Sequence, residues 1–218
     1  MSRTTIDFGI DLGTTNSGIA VLRGTVADII KNNLDNDITP SAVFIDKRGQ
    51  IQVGQRAKNR LEDQNAADDV YIEFKRRMGT DHKYEFRTAD RVLRPEEVSA
   101  EVLKSLRGDV QQRLGEDARA SVITVPAAFE QKQCAATIKA GQLAGFTQCP
   151  LLQEPVAAAL AYGFQADVTK STGWFTTSAA APSMPRSSRR RTEVSALSIM
   201  AGTTTSAAPT WTGQSLTN

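Results

Sequence analysis

The chain has 218 residues, 40% of them hydrophobic and 23% charged, with a formal net charge of +2. That length suits one large domain or two small ones. Two widely spaced cysteines and a single histidine exclude a zinc site or a disulfide scaffold. No secretory segment opens the chain and no apolar stretch approaches membrane-spanning length, which predicts a soluble, cytoplasmic protein with free thiols and no membrane partner.

In chain order, the first elements are two apolar runs, Ile6-Asp7-Phe8-Gly9-Ile10 and Gly18-Ile19-Ala20-Val21-Leu22. Strand alternation puts Ile6, Phe8 and Ile10 on one face. Their joint, Asp11-Leu12-Gly13-Thr14-Thr15-Asn16-Ser17, is rich in residues that turn tightly and leave backbone N–H groups pointing inward. A concave set of amides binds anions. An acid at its mouth, Asp11, makes sense if a divalent cation sits between the carboxylate and a phosphate. The plainer alternative is an ordinary hairpin with one solvated Asp. Glycine motifs of the dinucleotide and P-loop kinds run from strand into helix. Here strand leads into strand, and no Gly-Lys-Ser/Thr follows, which suggests an actin-like ATPase hairpin.

Ala42-Val43-Phe44-Ile45 reads as a third strand, entered through Thr39-Pro40-Ser41. Ile51-Gln52-Val53-Gly54 reads as a short strand leading to a helix with Gln55, Ala57, Lys58 and Leu61. Tyr71 to Met78 mixes apolar and basic residues, and Lys75, flanked by Arg76 and Arg77, is by itself a solvated basic run. A histidine-dependent hydrolase would need His82, which lies in a charged stretch without a nucleophile motif and is placed at the surface. Pro95-Glu96-Glu97 is a helix start, with Pro in the first turn and acids against the dipole. Val98, Val102, Leu103, Leu106 and Val110 then form a core stripe.

Ser121-Val122-Ile123-Thr124-Val125-Pro126 reads as a buried strand stopped by proline. A helix runs from about Glu130 to Ala144 and ends at Gly145. Leu151-Leu152-Gln153 is a further strand, and Glu154-Pro155 opens a helix closed by Gly163. By itself Glu154 is a first-turn acid. Three antiparallel strands followed by strand-helix-strand-helix give an α/β fold, a mixed sheet with flanking helices of the ribonuclease-H-like, actin-like ATPase kind.

Four segments in order carry a more specific likeness: Gly9-Ile10-Asp11-Leu12-Gly13-Thr14-Thr15-Asn16-Ser17, Phe74-Lys75-Arg76-Arg77-Met78-Gly79, Val122-Ile123-Thr124-Val125-Pro126-Ala127-Ala128-Phe129, and Gln153 through Gly163. Together with Val53-Gly54-Gln55-Arg56-Ala57-Lys58 they resemble the 70-kDa heat-shock chaperone family. The resemblance covers about residues 3–170 and corresponds to the first lobe of that family's nucleotide-binding domain. It implies ATP or ADP and Mg²⁺ as cofactors. Asp11 would hold the magnesium through water. Gly13, Thr14, Thr15 and Asn16 would form the cradle, with Thr14, Thr15 and Asn16 offering backbone and hydroxyl groups to the β- and γ-phosphates. Lys75 would reach the γ-phosphate and stabilise developing charge, and Glu154 would order magnesium-bound water, roles suited to phosphoryl transfer. Pro126 resembles the family's proline switch. Two departures stand out: Cys134 occupies the place of the family's relay arginine, with Lys132 two residues earlier, and the stretch between Gly79 and Pro95 is shortened. Family partners are unfolded peptides and co-chaperones, but the peptide-binding domain is expected to be absent here.

Beyond residue 170 the composition changes. Nineteen of the last forty-eight residues are Ser or Thr, and the apolar residues fall into no period. The sequence predicts a disordered, low-complexity tail over 171–218. Arg186, Arg189, Arg190 and Arg191 against Glu193 give that tail +3, leaving −1 for the first 170 residues. The basic balance therefore predicts no nucleic-acid surface on the folded part.

The family's second phosphate loop, Asp-Phe-Gly-Gly-Gly-Thr-Phe-Asp, belongs in this region. Written in GC-rich codons and read one nucleotide late, it becomes Thr-Ser-Ala-Ala-Ala-Pro-Ser-Met-Pro-Arg-Ser, which is Thr177 through Ser187. A family segment further on, shifted in the same register, gives Ala201 to Ala208. The expectation is a frameshift near Ser171–Gly173. It follows that the chain is a chaperone fragment impaired in ATP binding and hydrolysis. The alternatives are another actin-like ATPase, such as a sugar kinase or cell-shape protein, and a non-functional truncated product.

Overall fold

The computed structural model describes residues 2–3, 6–24, 26–64 and 66–165. The predicted tail, with Thr177–Ser187 and Ala201–Ala208, lies outside the described residues. At the N-terminus β1 (Ser2–Arg3) runs parallel to the later β11 (Asp117–Ala118). A larger sheet starts with β2 (Phe8–Leu12), β3 (Asn16–Arg23), β4 (Val26–Ile30) and β5 (Thr39–Pro40). In β2 the buried residues are Phe8, Ile10 and Leu12. Ile6 precedes the strand and is 47% exposed, so the inward face starts one step later than its alternation predicts.

β2 and β3 pair antiparallel with Ile10 beside Ile19 and Asp11 beside Gly18. Asp11, Leu12 and Asn16 thus belong to the strands, and the connecting turn shrinks to Gly13-Thr14-Thr15. The third strand of this sheet is β4, not the predicted Ala42–Ile45. Gly24, at φ 65°, turns β3 back into it. As an edge strand β4 carries Asp28 and leaves Val26 57% exposed, so it lacks the apolar run that marks a central strand.

β6 (Ala42–Ile45) instead centres a smaller antiparallel sheet, between β7 (Ile51–Val53) and β8 (Val70–Ile72). Helix α1 (Gln55–Asn59) follows β7, where a short helix is expected. β9 (Tyr84–Phe86) and β10 (Arg91–Leu93) form a hairpin. Then α2 (Pro95–Leu114) begins where Pro95 and the two acids place it, with the Glu97 carboxylate accepting the Arg94 N–H at 2.7 Å. Its predicted stripe is the core: Val98, Val102, Leu103, Leu106 and Val110 are each 2% exposed or less. Each such side chain contributes about 1.5–3 kcal/mol of burial.

β12 (Ser121–Val125) lies parallel to β2, Ile123 beside Ile10. Helix α3 (Gln131–Leu143) follows, packs on α2, and is tied to it by Lys139 Nζ and Glu96 Oε1 at 2.9 Å. β13 (Leu151–Gln153) runs parallel to β12, with Val125 beside Gln153. Last comes α4 (Glu154–Gln165), which passes through Gly163 instead of closing there. The main sheet thus reads β13-β12-β2-β3-β4, with β5 alongside the start of β3. Among the described residues no helix is long and apolar enough to cross a membrane.

Candidate functional site

Three neighbouring parallel strands, β2, β12 and β13, end at the same edge of the sheet. In open α/β sheets this carboxyl edge is where ligands bind. Asp11 is on β2, Pro126 follows β12, and Glu154 follows β13 as the first residue of α4.

The turn after Asp11 is rigidly built. A Cβ at Gly13 would collide with the backbone oxygen of Asn16, so only glycine lets the chain fold this closely. Ser41, 1% exposed, holds the turn from behind: its N–H donates to Thr15 O at 2.8 Å and its hydroxyl donates to Gly13 O at 2.8 Å. The Ser17 hydroxyl lies 2.9 Å from that of Ser41. Behind Ser41, Asn32 Nδ2 donates to Ile38 O at 2.9 Å and to Thr39 Oγ1 at 3.2 Å. The two Ser41 bonds occupy the Gly13 and Thr15 carbonyls of the turn. Thr14, Thr15 and Asn16 are therefore held at the carboxyl edge, where the sequence placed the cradle.

Lys75 is not a solvated member of a basic run. It sits on a short 3₁₀ turn, Phe74–Arg77, with a side chain 4% exposed, while Arg76 and Arg77 are exposed. Phe74 and Met78, each 1% exposed, anchor that turn. Gly79, at φ 75°, lies so near the backbone of Lys132 and Gln133 that a Cβ would come within 2.9 Å. The turn is thus pressed onto the start of α3, which holds the backbone that carries Lys75 in place.

Lys75 Nζ donates to Glu154 Oε1 at 2.8 Å, linking two residues 79 positions apart. Its ammonium also lies 5.7 Å from the centre of the Phe129 ring, a cation–π distance. Phe129 belongs to the turn after β12, where its N–H donates to Pro126 O at 3.0 Å. Cys134, one turn into α3, has its sulfur 3.9 Å from Phe129 O. On the Asp11 side, the Thr124 hydroxyl donates to Asp11 Oδ1 at 2.8 Å. The residues named from sequence thus fall into two bonded groups at one sheet edge: Asp11 with its turn, and Lys75 with Glu154. Pro126 and Phe129 adjoin the second. Ser41, Thr124 and Phe129 were missed as site residues; each lay inside a quoted strand or motif, yet only strand register reveals their partners.

The donor set tests whether a hydrated divalent cation fits. Among the described residues no three His, Cys, Asp or Glu side chains converge. A caged ion is not built here. Magnesium keeps several waters and takes one or two carboxylates plus phosphate oxygens. One carboxylate, Asp11, beside the glycine-tightened Gly13-Thr14-Thr15 turn fits that requirement.

Other chemistries have less support. His82 is exposed and packs edge-on against Tyr84, ring centres 4.6 Å apart. Burial pushes the Cys149 thiol above its ordinary value, which keeps it protonated and inert.

The family model described as Hsp70 protein matches residues 7–172. Proteins named "Chaperone protein DnaK" from two strains of Halobacterium salinarum are 42% identical to this chain over 159 residues, covering 73% of it and 25% of their own length. The chain spans about a quarter of the length of these relatives.

Proposed function

Given that the chain belongs to the Hsp70 protein family, we propose that residues 7–165 form the phosphate- and magnesium-facing wall of a chaperone ATP site. One observation carries this reading: Asp11 with its glycine-tightened turn, and the buried Lys75 bonded to Glu154, share the carboxyl edge of three parallel strands. Another actin-like ATPase would share the hairpin, but the family match extends well beyond it.

When bound, magnesium would neutralise charge developing on the phosphates; Asp11 would hold it through water. Thr14, Thr15 and Asn16 would offer backbone and hydroxyl groups to the β- and γ-phosphates. Lys75, fixed by burial and by Phe129, would hold its positive charge against the γ-phosphate. Glu154 would orient water on the opposite side of that ammonium. In such a reaction catalysis is mostly positioning and electrostatics.

ATP hydrolysis coupled to the binding of unfolded peptides, with co-chaperones as partners, is proposed for the whole chaperone. For this chain the proposal is narrower. The described residues supply one wall, and for this wall by itself we propose weak nucleotide binding and negligible hydrolysis. Coupling through Pro126 is impaired, because Cys134 cannot supply the charge of a relay arginine. The proposed boundary near residue 170 is supported by the family match ending at residue 172, well before Asn218. Calorimetric titration of the chain with Mg-ATP tests the reading. Weak, magnesium-dependent binding is expected. Micromolar affinity would contradict the impairment, and binding indifferent to magnesium would contradict the site.

A further inference from the structure

Thr124 is a polar residue 2% exposed, in the middle of the main sheet and two residues before the proline that ends β12. Strand register explains its direction. Ile123 pairs with Ile10, so the next step along both parallel strands brings Thr124 beside Asp11 on the opposite face from those isoleucines. The burial patterns agree: Ile10 and Ile123 are fully covered, while Asp11 is half-buried at the sheet edge. An ionised carboxylate only accepts hydrogen bonds, so in the 2.8 Å contact the Thr124 hydroxyl is the donor and Asp11 Oδ1 the acceptor. The hydroxyl carries one proton and it is committed to this bond. Threonine is β-branched, with few side-chain rotamers on a strand, so the donor itself is held in place.

We propose that Thr124 is a positioning residue for Asp11, setting the plane of its carboxylate so that the acid meets a hydrated divalent cation at the phosphate turn. The proposal deepens the reading of the site given above and rests on it. Outer groups that orient a directly ligating side chain change metal affinity about 10- to 100-fold when removed, so a group that orients a carboxylate acting through water should reach only the lower end, about 10-fold. Thr124 would therefore affect the metal and leave the nucleotide's other contacts alone. Valine at this position keeps the shape and removes the donor; serine keeps the donor and removes the methyl group.

The test uses the full chain, with Thr124→Val, Thr124→Ser and, as a control, Thr137→Val. Thr137 is 1% exposed on α3, and its hydroxyl bonds Gln133 O at 2.9 Å, away from the site. Two quantities are measured: ADP affinity by NMR titration with magnesium and with EDTA, and Mn²⁺ binding in the presence of ADP by water-proton relaxation. Thr124→Val should weaken Mn²⁺ binding about 10-fold, cut the gain that magnesium gives to ADP by a similar factor, and leave ADP binding in EDTA unchanged. Thr124→Ser and Thr137→Val should behave as the unmodified chain. Should Thr124→Val retain the magnesium gain, or Thr124→Ser lose as much as Val, the positioning role is wrong while the site stands. If Thr124→Val does not fold, Thr124→Ala, which also lacks the donor, takes its place in the comparison with Thr124→Ser. If the unmodified chain shows no magnesium gain at all, the reading of the site fails and the proposal fails with it.

Discussion

Two buried carboxylates show how position decides the fate of the same group. Asp69, 3% exposed, accepts the N–H groups of Arg87 and Thr88. Burial opposes its ionisation, yet the bonds from Thr88 and Arg87 hold it below the usual carboxylate value. Asp109 on α2, 6% exposed, has one oxygen with no hydrogen-bond partner. Burial pushes it up to about 6, with the Asn33 N–H and Arg113 pulling only partly the other way. A raised folded value means that the stabilising, protonated form is fully present below the unfolded value and is lost as the pH rises through about 6. For Asp109 that loss amounts to about 3 kcal/mol. Asp69 works oppositely: its contribution is present above the unfolded value and lost on acidification. Asp109→Asn should therefore flatten the decline in stability between the ordinary carboxylate value of 3.8 and about pH 6, measured by urea unfolding at several pH values. An unchanged slope would mean that Asp109 is not the titrating group.

The Lys75–Glu154 pair makes a second prediction at this scale. Glu154 is 41% exposed and Lys75 4%, so replacing Glu154 by glutamine leaves the buried cation facing a neutral amide oxygen instead of a carboxylate. Glu154→Gln should cost about 1–2 kcal/mol, less than for a fully buried pair, because water screens the carboxylate. Lys75→Met should cost less, since no charge stays buried. The reverse order in urea unfolding would refute this account. Legibility at this scale was uneven. Asp11, Lys75 and Glu154 were found because each lies in a contiguous motif. Thr124 and Ser41 were missed because their bonds cross 113 and 28 positions of chain, and register across a sheet is not written in either strand alone.

Elements were legible where one face is apolar at a single period. The α2 stripe was read in full, because its five aliphatic residues recur at helical spacing. Leu103, fully buried, should cost about 2–5 kcal/mol when cut to alanine; a loss below about 1 kcal/mol in thermal unfolding would mean that the stripe is not the core. β4 was missed because Asp28 splits its apolar residues into two pairs, Val26-Ala27 and Ile29-Ile30, too short to read as a run. β6 was found but given to the wrong sheet, since four apolar residues in a row are equally at home in either. α4 is the odd element: it is the most apolar helix in sequence, yet Val156 is 42% and Leu160 50% exposed, one turn apart on the same side. A bare apolar strip of this kind promotes association. Val156→Lys with Leu160→Glu should raise the monomer fraction in light scattering without lowering the melting temperature. A lower melting temperature would show that the strip is already covered within the chain.

At the scale of the whole molecule, the chain divides by composition near residue 170, and the family match ends at residue 172. The fold class and most of its order were legible up to there, because the motifs lie on consecutive elements of one sheet. Nothing after that point carries periodicity to read. The frameshift reading predicts that resequencing across Lys170–Trp174 will show the codons for Asp-Phe-Gly-Gly-Gly in a neighbouring frame. An intact frame with no such codons would rule it out. Cutting the chain after residue 172 should leave the melting temperature unchanged.

Gly13 and Gly108 offer a historical record of the same question. At Gly13 any side chain strikes the Asn16 carbonyl, whereas a Cβ at Gly108 on α2 meets nothing within 4 Å, and alanine there is the better helix former. A side chain at position 108 therefore costs the fold nothing, but one at position 13 is tolerated only where the turn no longer matters. Comparing variation at the two codons among close strains separates a locus still under purifying selection from one that the proposed frameshift would have released: glycine kept at 13 and lost at 108 in the first case, equal decay at both in the second.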